Sequence, residues 1–162
     1  MILFDNRVGA KITSESLNLL EAIAECVLNS VAGEFSGRNI ELLLVSDDEI
    51  RTLNAEFLGR DYATDVLSFP LDLSGIESTS DDLNANSPKL PLGSIVIAYQ
   101  MADCVAKAQN HSLQTELAIL FTHGLLHLLG YNHEADNGEH RIKEGEILAH
   151  FGIKSLIERN SK

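Results

Sequence analysis

The sequence predicts an α+β fold of α/β-like character: a mixed four-stranded sheet, its first three strands parallel, with about five helices on both sides. Three observations carry this expectation. Short apolar runs alternate with segments of helical spacing over residues 1–70, in the order strand, helix, strand, helix, strand. Right-handed crossovers lay consecutive strands of that order parallel. A long polar stretch then frees a fourth strand to run antiparallel, at an edge or beside the third, before three helical patterns close the chain.

Residues 1–4 read as a short buried strand. From Ser14, the residues Leu17, Leu20, Ile23, Ala24, Val27, Leu28 and Val31 recur at helical spacing, and Gly33 stands where a helix cap is expected. Ile40 to Val45 is apolar except for Glu41, as a central strand should be. Ser46-Asp47-Asp48-Glu49 reads as a capping box for a helix with Ile50, Leu53 and Phe57 on one side, ending near Gly59. Thr64 to Pro70 reads as a strand stopped by its proline. Residues 71–90 are rich in Asp, Ser and Asn, with Ile76 and Leu83 isolated among them, and read as a flexible surface loop. Leu92 to Ala98 is the fourth strand, followed by helices over 99–109, 113–129 and 137–151, the last opened by a capping box of Asp136 and Glu139. The 113–129 segment is apolar nearly all round, which places it centrally. With no internal repeat and no boundary, residues 1–162 form a single domain of a metal-dependent hydrolase type, for the reasons that follow.

The bulk properties narrow the setting. A content of 44% hydrophobic and 22% charged residues is that of a water-soluble globule, and no apolar run is long enough to span a membrane. Polar residues follow Met1-Ile2-Leu3-Phe4 at once, so a signal-peptide profile is missing. Cys26 and Cys104 stand apart in helical patterns, and buried thiols in a reducing, cytoplasmic compartment suit them better than a disulfide. The net charge of −12 repels phosphate backbones, so a nucleic-acid substrate needs a local basic patch or a partner that delivers it. No membrane partner is expected.

The segment His123-Gly124-Leu125-Leu126-His127-Leu128-Leu129-Gly130-Tyr131-Asn132-His133 carries the chemistry. Residues four apart on a helix share a face, so His123 and His127 point to one spot. Gly130 can adopt the left-handed conformation that ends the helix and brings His133 back as a third nitrogen ligand. Three histidines with a vacant fourth position describe a catalytic type of zinc site, and three imidazoles favour one Zn2+ over other divalent ions. His111, His140 and His150 read as ordinary surface or helix polar residues. The spacing is that of the extended zincin pattern, but Gly124 stands where a metalloprotease carries its glutamate base. Proteolysis is disfavoured, and another metal-assisted hydrolysis is favoured.

Three segments resemble the YbeY endoribonuclease family. The histidine segment is similar to the family signature H-G-x-L-H-L-x-G-Y-D-H; Leu53-Asn54 through Asp61 to Thr64-Asp65-Val66-Leu67-Ser68-Phe69-Pro70 is the second; Leu92-Gly93-Ser94-Ile95-Val96-Ile97 is the third. The resemblance implies zinc on His123, His127 and His133, single-strand-selective RNA cleavage, 16S ribosomal RNA 3′-end maturation and ribosome quality control. It implies ribosomal RNA and the ribosome as partners, with ribosomal proteins or an assembly GTPase as further candidates. Three departures stand out: Asn132 replaces the Asp before the third histidine, Ser94 replaces an Asp, and Leu58 replaces an Arg before Gly59. Asn132 can orient a ligand but cannot take up a proton. Arg60, two residues beyond Leu58, is the candidate catalytic cation from a shifted position.

The mechanism expected is metal-assisted phosphodiester cleavage, in which zinc acidifies a water and Arg60 helps neutralise phosphoryl charge. His140 or Glu134 is a candidate proton shuttle, and Arg51, Arg60 and Lys89 are candidates for a basic lining. Two alternatives remain open at this point: a non-catalytic, zinc-bound ribosome-assembly factor, and a metal hydrolase of another substrate.

Overall fold

The computed structural model describes residues 1–30, 37–71, 90–132 and 135–154. The expected Gly33 cap, the body of the 71–90 loop with Lys89, and His133 and Glu134 lie outside the described residues. The elements are β1 (Ile2–Asn6), α1 (Ser14–Ser30), β2 (Ile40–Val45), α2 (Asp47–Leu58), β3 (Val66–Pro70), β4 (Gly93–Ala98), α3 (Tyr99–Ala108), α4 (Leu113–Leu128) and α5 (Glu139–His150). These nine segments give the mixed sheet and the five helices that the sequence predicts.

The strand order is β1-β2-β4-β3. β1 pairs parallel with β2 from Ile2↔Ile40 to Asn6↔Leu44, and β2 pairs parallel with β4 from Ile40↔Gly93 to Val45↔Ala98. β3 runs antiparallel to β4, from Val66↔Ile97 to Pro70↔Gly93. The odd strand is therefore the third in the chain, whereas the sequence predicts the first three parallel and leaves the fourth to reverse. The physical reason is burial. Ile95, Val96, Ile97 and Ala98 of β4 are all buried, so both faces of that strand need cover and it takes the interior place beside β2. In β3 only Leu67 is buried, and Pro70, which cannot donate to a ladder, suits an edge. The crossover rule governs strands that return parallel, and β3 is not one of them.

The two faces of the sheet are unequal. On one, Ile40, Leu42, Leu44, Ile95 and Ile97 pack with Leu20, Ile23 and Val27 of α1 and with Leu117, Phe121 and Leu125 of α4. A side chain as completely buried as Ile95 contributes roughly 1.5–3 kcal/mol of hydrophobic stabilisation. On the other face a smaller cluster of Val45, Leu67, Val96 and Ala98 packs against Ile50 of α2. α4 is central, as its apolar circumference requires: it touches β3, β4, α1, α3 and α5.

Local signals explain the helix ends. Ser46 Oγ accepts a hydrogen bond from Glu49 N at 3.2 Å, and Gly59 caps the C-terminus of α2 in the left-handed region. Asp136 lies two residues before the cap of α5, not at the cap position, and its carboxylate accepts from the backbone N–H of Gly138 and of His140, both at 2.8 Å. Cys26 is half-buried on α1, but Cys104 is exposed on α3, contrary to the reading of two buried thiols. Among the described residues no helix is long and apolar enough to cross a membrane.

Candidate metal centre and its cleft

α4 presents His123 and His127 one turn apart with ring centroids 4.9 Å from each other. The helix ends as Gly130 predicts. Gly130 has φ 97°, its N–H donates to the His127 carbonyl at 3.0 Å, and Tyr131 N–H donates to the Leu126 carbonyl at 3.0 Å. This pair of reverse bonds is the Schellman arrangement, which satisfies carbonyls of the last turn and redirects the chain. Gly124 has a packing role as well. A Cβ there would lie 2.9 Å from Ile95 Cγ2 and 3.1 Å from Ser68 Oγ, so the bare backbone lets α4 settle onto the sheet. Ser68 Oγ donates to the Gly124 carbonyl at 3.1 Å and fastens the contact.

The third imidazole at this spot is one that sequence reasoning had set aside. His140, read as an ordinary polar residue, is fully buried. Its ring stacks on His123 with centroids 4.6 Å apart and meets His127 edge-on at 4.7 Å. A nitrogen from each of His123, His127 and His140 lies within 4.8 Å of the other two. A signal existed in the sequence: His140, Glu144, Ile147 and Leu148 recur at helical spacing and form the buried stripe of α5. Taken singly, the histidine looked solvated, because its burial depends on α5 docking against α4.

These residues fit a metal ion. Nitrogens bound to one tetrahedral zinc at about 2.0–2.1 Å stand roughly 3.4 Å apart, and the three nitrogens here lie within 4.8 Å of one another. Glu144 Oε2 lies 2.9 Å from His123 Nδ1, which leaves Nε2 of that ring for an ion. A carboxylate behind a histidine in this way fixes its tautomer and raises its basicity as a ligand.

His123 and His127 open onto a cleft of about 630 Å³. Another part of its lining is Leu58 at the end of α2 and the turn that follows, with Arg60 and Tyr62, and Tyr131 and Asn132 contribute from beyond α4. Arg60 thus shares a cleft with the two histidines, and Leu58 occupies part of the same lining. The turn is tied down from behind. Buried Asn54 donates through Nδ2 to the Tyr62 carbonyl at 2.9 Å, while its backbone carbonyl accepts from Arg60 N at 3.2 Å. On the outside, Arg51 grips Asp61 through two bonds of 2.9 and 3.3 Å. The hydrogen bond first, and the charge attraction second, lower the Asp61 pKa and raise that of Arg51.

Other expectations are corrected here. Arg51 is engaged with Asp61 and does not line the cleft, so of the three expected basic residues Arg60 alone is found there among the described residues. Ser94 is on β4, bonded to Glu41 at 2.7 Å and away from the cleft. His111 pairs with buried Glu116 at 2.6 Å in the turn before α4, and His150 is exposed at the end of α5.

The fold and its imidazole cluster define a class of protein: an α+β domain with a group able to hold a metal ion at an open cleft. Comparison with known proteins narrows this. The family model for Endoribonuclease YbeY matches residues 4–152. An Endoribonuclease YbeY of Nautilia profundicola is 42% identical over 161 residues, covering 99% of each chain. That of Wolinella succinogenes is 40% identical over 163 residues, covering 100% of this chain and 99% of its own. That of Helicobacter pylori is 50% identical over 121 residues, 74% of this chain and 77% of its own. A Thermotoga maritima protein solved in solution superimposes with a TM-score of 0.53 at 27% identity, covering 94% and 92% of the two chains. The chain belongs to the YbeY endoribonuclease family.

Proposed function

We propose that this protein is a zinc-dependent, single-strand-specific endoribonuclease that acts in 16S ribosomal RNA 3′-end maturation and ribosome quality control, in the cytoplasm, with ribosomal RNA and the ribosome as its partners. The observation that carries the reading is one cleft that holds His123, His127 and Arg60 together in a chain of this family. His123, His127 and His133 are the ligands that the family resemblance assigns to the ion. When bound, zinc supplies Lewis acidity toward a phosphoryl oxygen and an acidified water.

The residues of the chain do the remainder. Glu144 holds the His123 ring in one tautomer. Arg60 attracts the scissile phosphate and offsets charge as it develops on the phosphoryl oxygens, from two residues beyond the position where Leu58 replaces the family arginine. This local cation matters because the chain as a whole carries −12 and repels a phosphate backbone. Asn132 can donate a hydrogen bond in the cleft but takes no proton, so proton transfer does not run through it.

The test is single-turnover cleavage of a ribosomal-RNA 3′ precursor and of a fully paired duplex by protein of measured zinc content, beside His127→Ala and Arg60→Ala. The proposal expects cleavage of unpaired RNA only, abolished by the first substitution and slowed by the second. Zinc-loaded protein that leaves the precursor intact, free or within the assembled small subunit, overturns it in favour of a non-catalytic assembly factor.

A further inference from the structure

Beyond the three-histidine set of the proposed function, we infer that His140 is itself a direct ligand of the bound ion. The inference rests on that reading only in requiring that a metal binds at His123 and His127.

Three features place His140 there. Its ring is fully buried, although a histidine with only a solvent role would sit at the surface of a short amphipathic helix. It is packed against the two other imidazoles, and its ligand nitrogen falls within 4.8 Å of theirs. Its backbone is fixed as well: Asp136 accepts from His140 N–H at 2.8 Å, which holds the first turn of α5 in register over the end of α4. Glu144 has a different job. Its Oε2 bonds His123 at 2.9 Å and stands 3.8 Å from His140 Nε2, beyond hydrogen-bond length. α5 therefore delivers two elements of a metal site from one helical face: the carboxylate behind one ligand at Glu144 and, one turn earlier, a ligand at His140.

The experiment follows the imidazole nitrogens of the uniformly 15N-labelled full chain by long-range proton–nitrogen correlation, without metal and with one equivalent of zinc, at a fixed pH. The signals of each ring are assigned through its own backbone. One ring nitrogen of His140 is expected to move to the metal-bound range together with one from His123 and one from His127. His140 nitrogens that keep their metal-free shifts while those of His127 move overturn this inference and leave the proposed function intact. If His127 also stays unmoved, the metal part of the proposed function fails, and this inference falls with it. His140→Leu, close in volume, supplies the second measurement. Zinc affinity should fall at least about tenfold in a variant that still unfolds cooperatively without metal. An unchanged affinity overturns the assignment.

Discussion

The cleft is built by two parts of the molecule that follow different rules. The histidine part belongs to the largest core: α4 is seated on the sheet at Gly124, and α5 closes over it with His140 and Glu144 buried. The part that carries Arg60 and Tyr62 is a surface turn, with Tyr62 exposed and the fastening done by one buried side chain, Asn54, and one exposed ion pair. The difference teaches where substitution is tolerated. A core-mounted ligand cannot shift without moving a helix. A side chain on a surface turn, such as Arg60, carries no such constraint.

This contrast can be broken or sharpened experimentally. The largest effect is expected from His127→Ala, which should lower zinc affinity by at least about a hundredfold, read by competition with a chromophoric chelator. Retention of stoichiometric zinc by that variant would remove His127 from the ligands. Glu144→Ala should come next, with a loss of about 10–100-fold in the same assay, because the ligand ring stays but loses its orienting carboxylate. On the other side of the cleft, Asn54→Ala should cost about 1 kcal/mol in urea unfolding. It should weaken RNA binding while leaving zinc affinity as it was; a fall in zinc affinity would show that the two parts are coupled.

The smallest effect concerns pH. Asp61 has a folded-state pKa below its unfolded value, so the unfolded chain binds more protons over that interval and stability rises with pH. The contribution is complete above the ordinary carboxylate range and is lost as pH falls through the depressed folded value. The difference in Tm between the native protein and Asp61→Asn should accordingly be small at neutral pH and vanish in acid. Because the pair is exposed, high salt should shrink it as well.

Much of this is legible in the sequence, where the cause is local. Ser46 and Gly59 bracket α2, the run from Ile40 to Val45 matches β2 end to end, and Gly130 turns the chain after His127. Two features were not legible, and both depend on distant partners. The direction of β3 is decided by β4, whose burial on both faces claims the interior place beside β2. The burial of His140 beside His123 is decided by how α5 docks on α4, and no spacing within the histidine segment reports that. Arg60 falls between these cases: its residue type was readable, and its presence in the cleft follows from the way Asn54 folds the turn.

The close seat of α4 on the sheet also bears on evolutionary routes. In some glycine codons a single-base change would turn Gly124 into glutamate and restore the H-E-x-x-H string of the metalloproteases. Here the first carbon of that side chain would strike Ile95 and Ser68, facing the sheet rather than the cleft. Peptidase chemistry is thus separated from this scaffold by the distance between a helix and a sheet, a barrier that mutation of the motif alone does not cross.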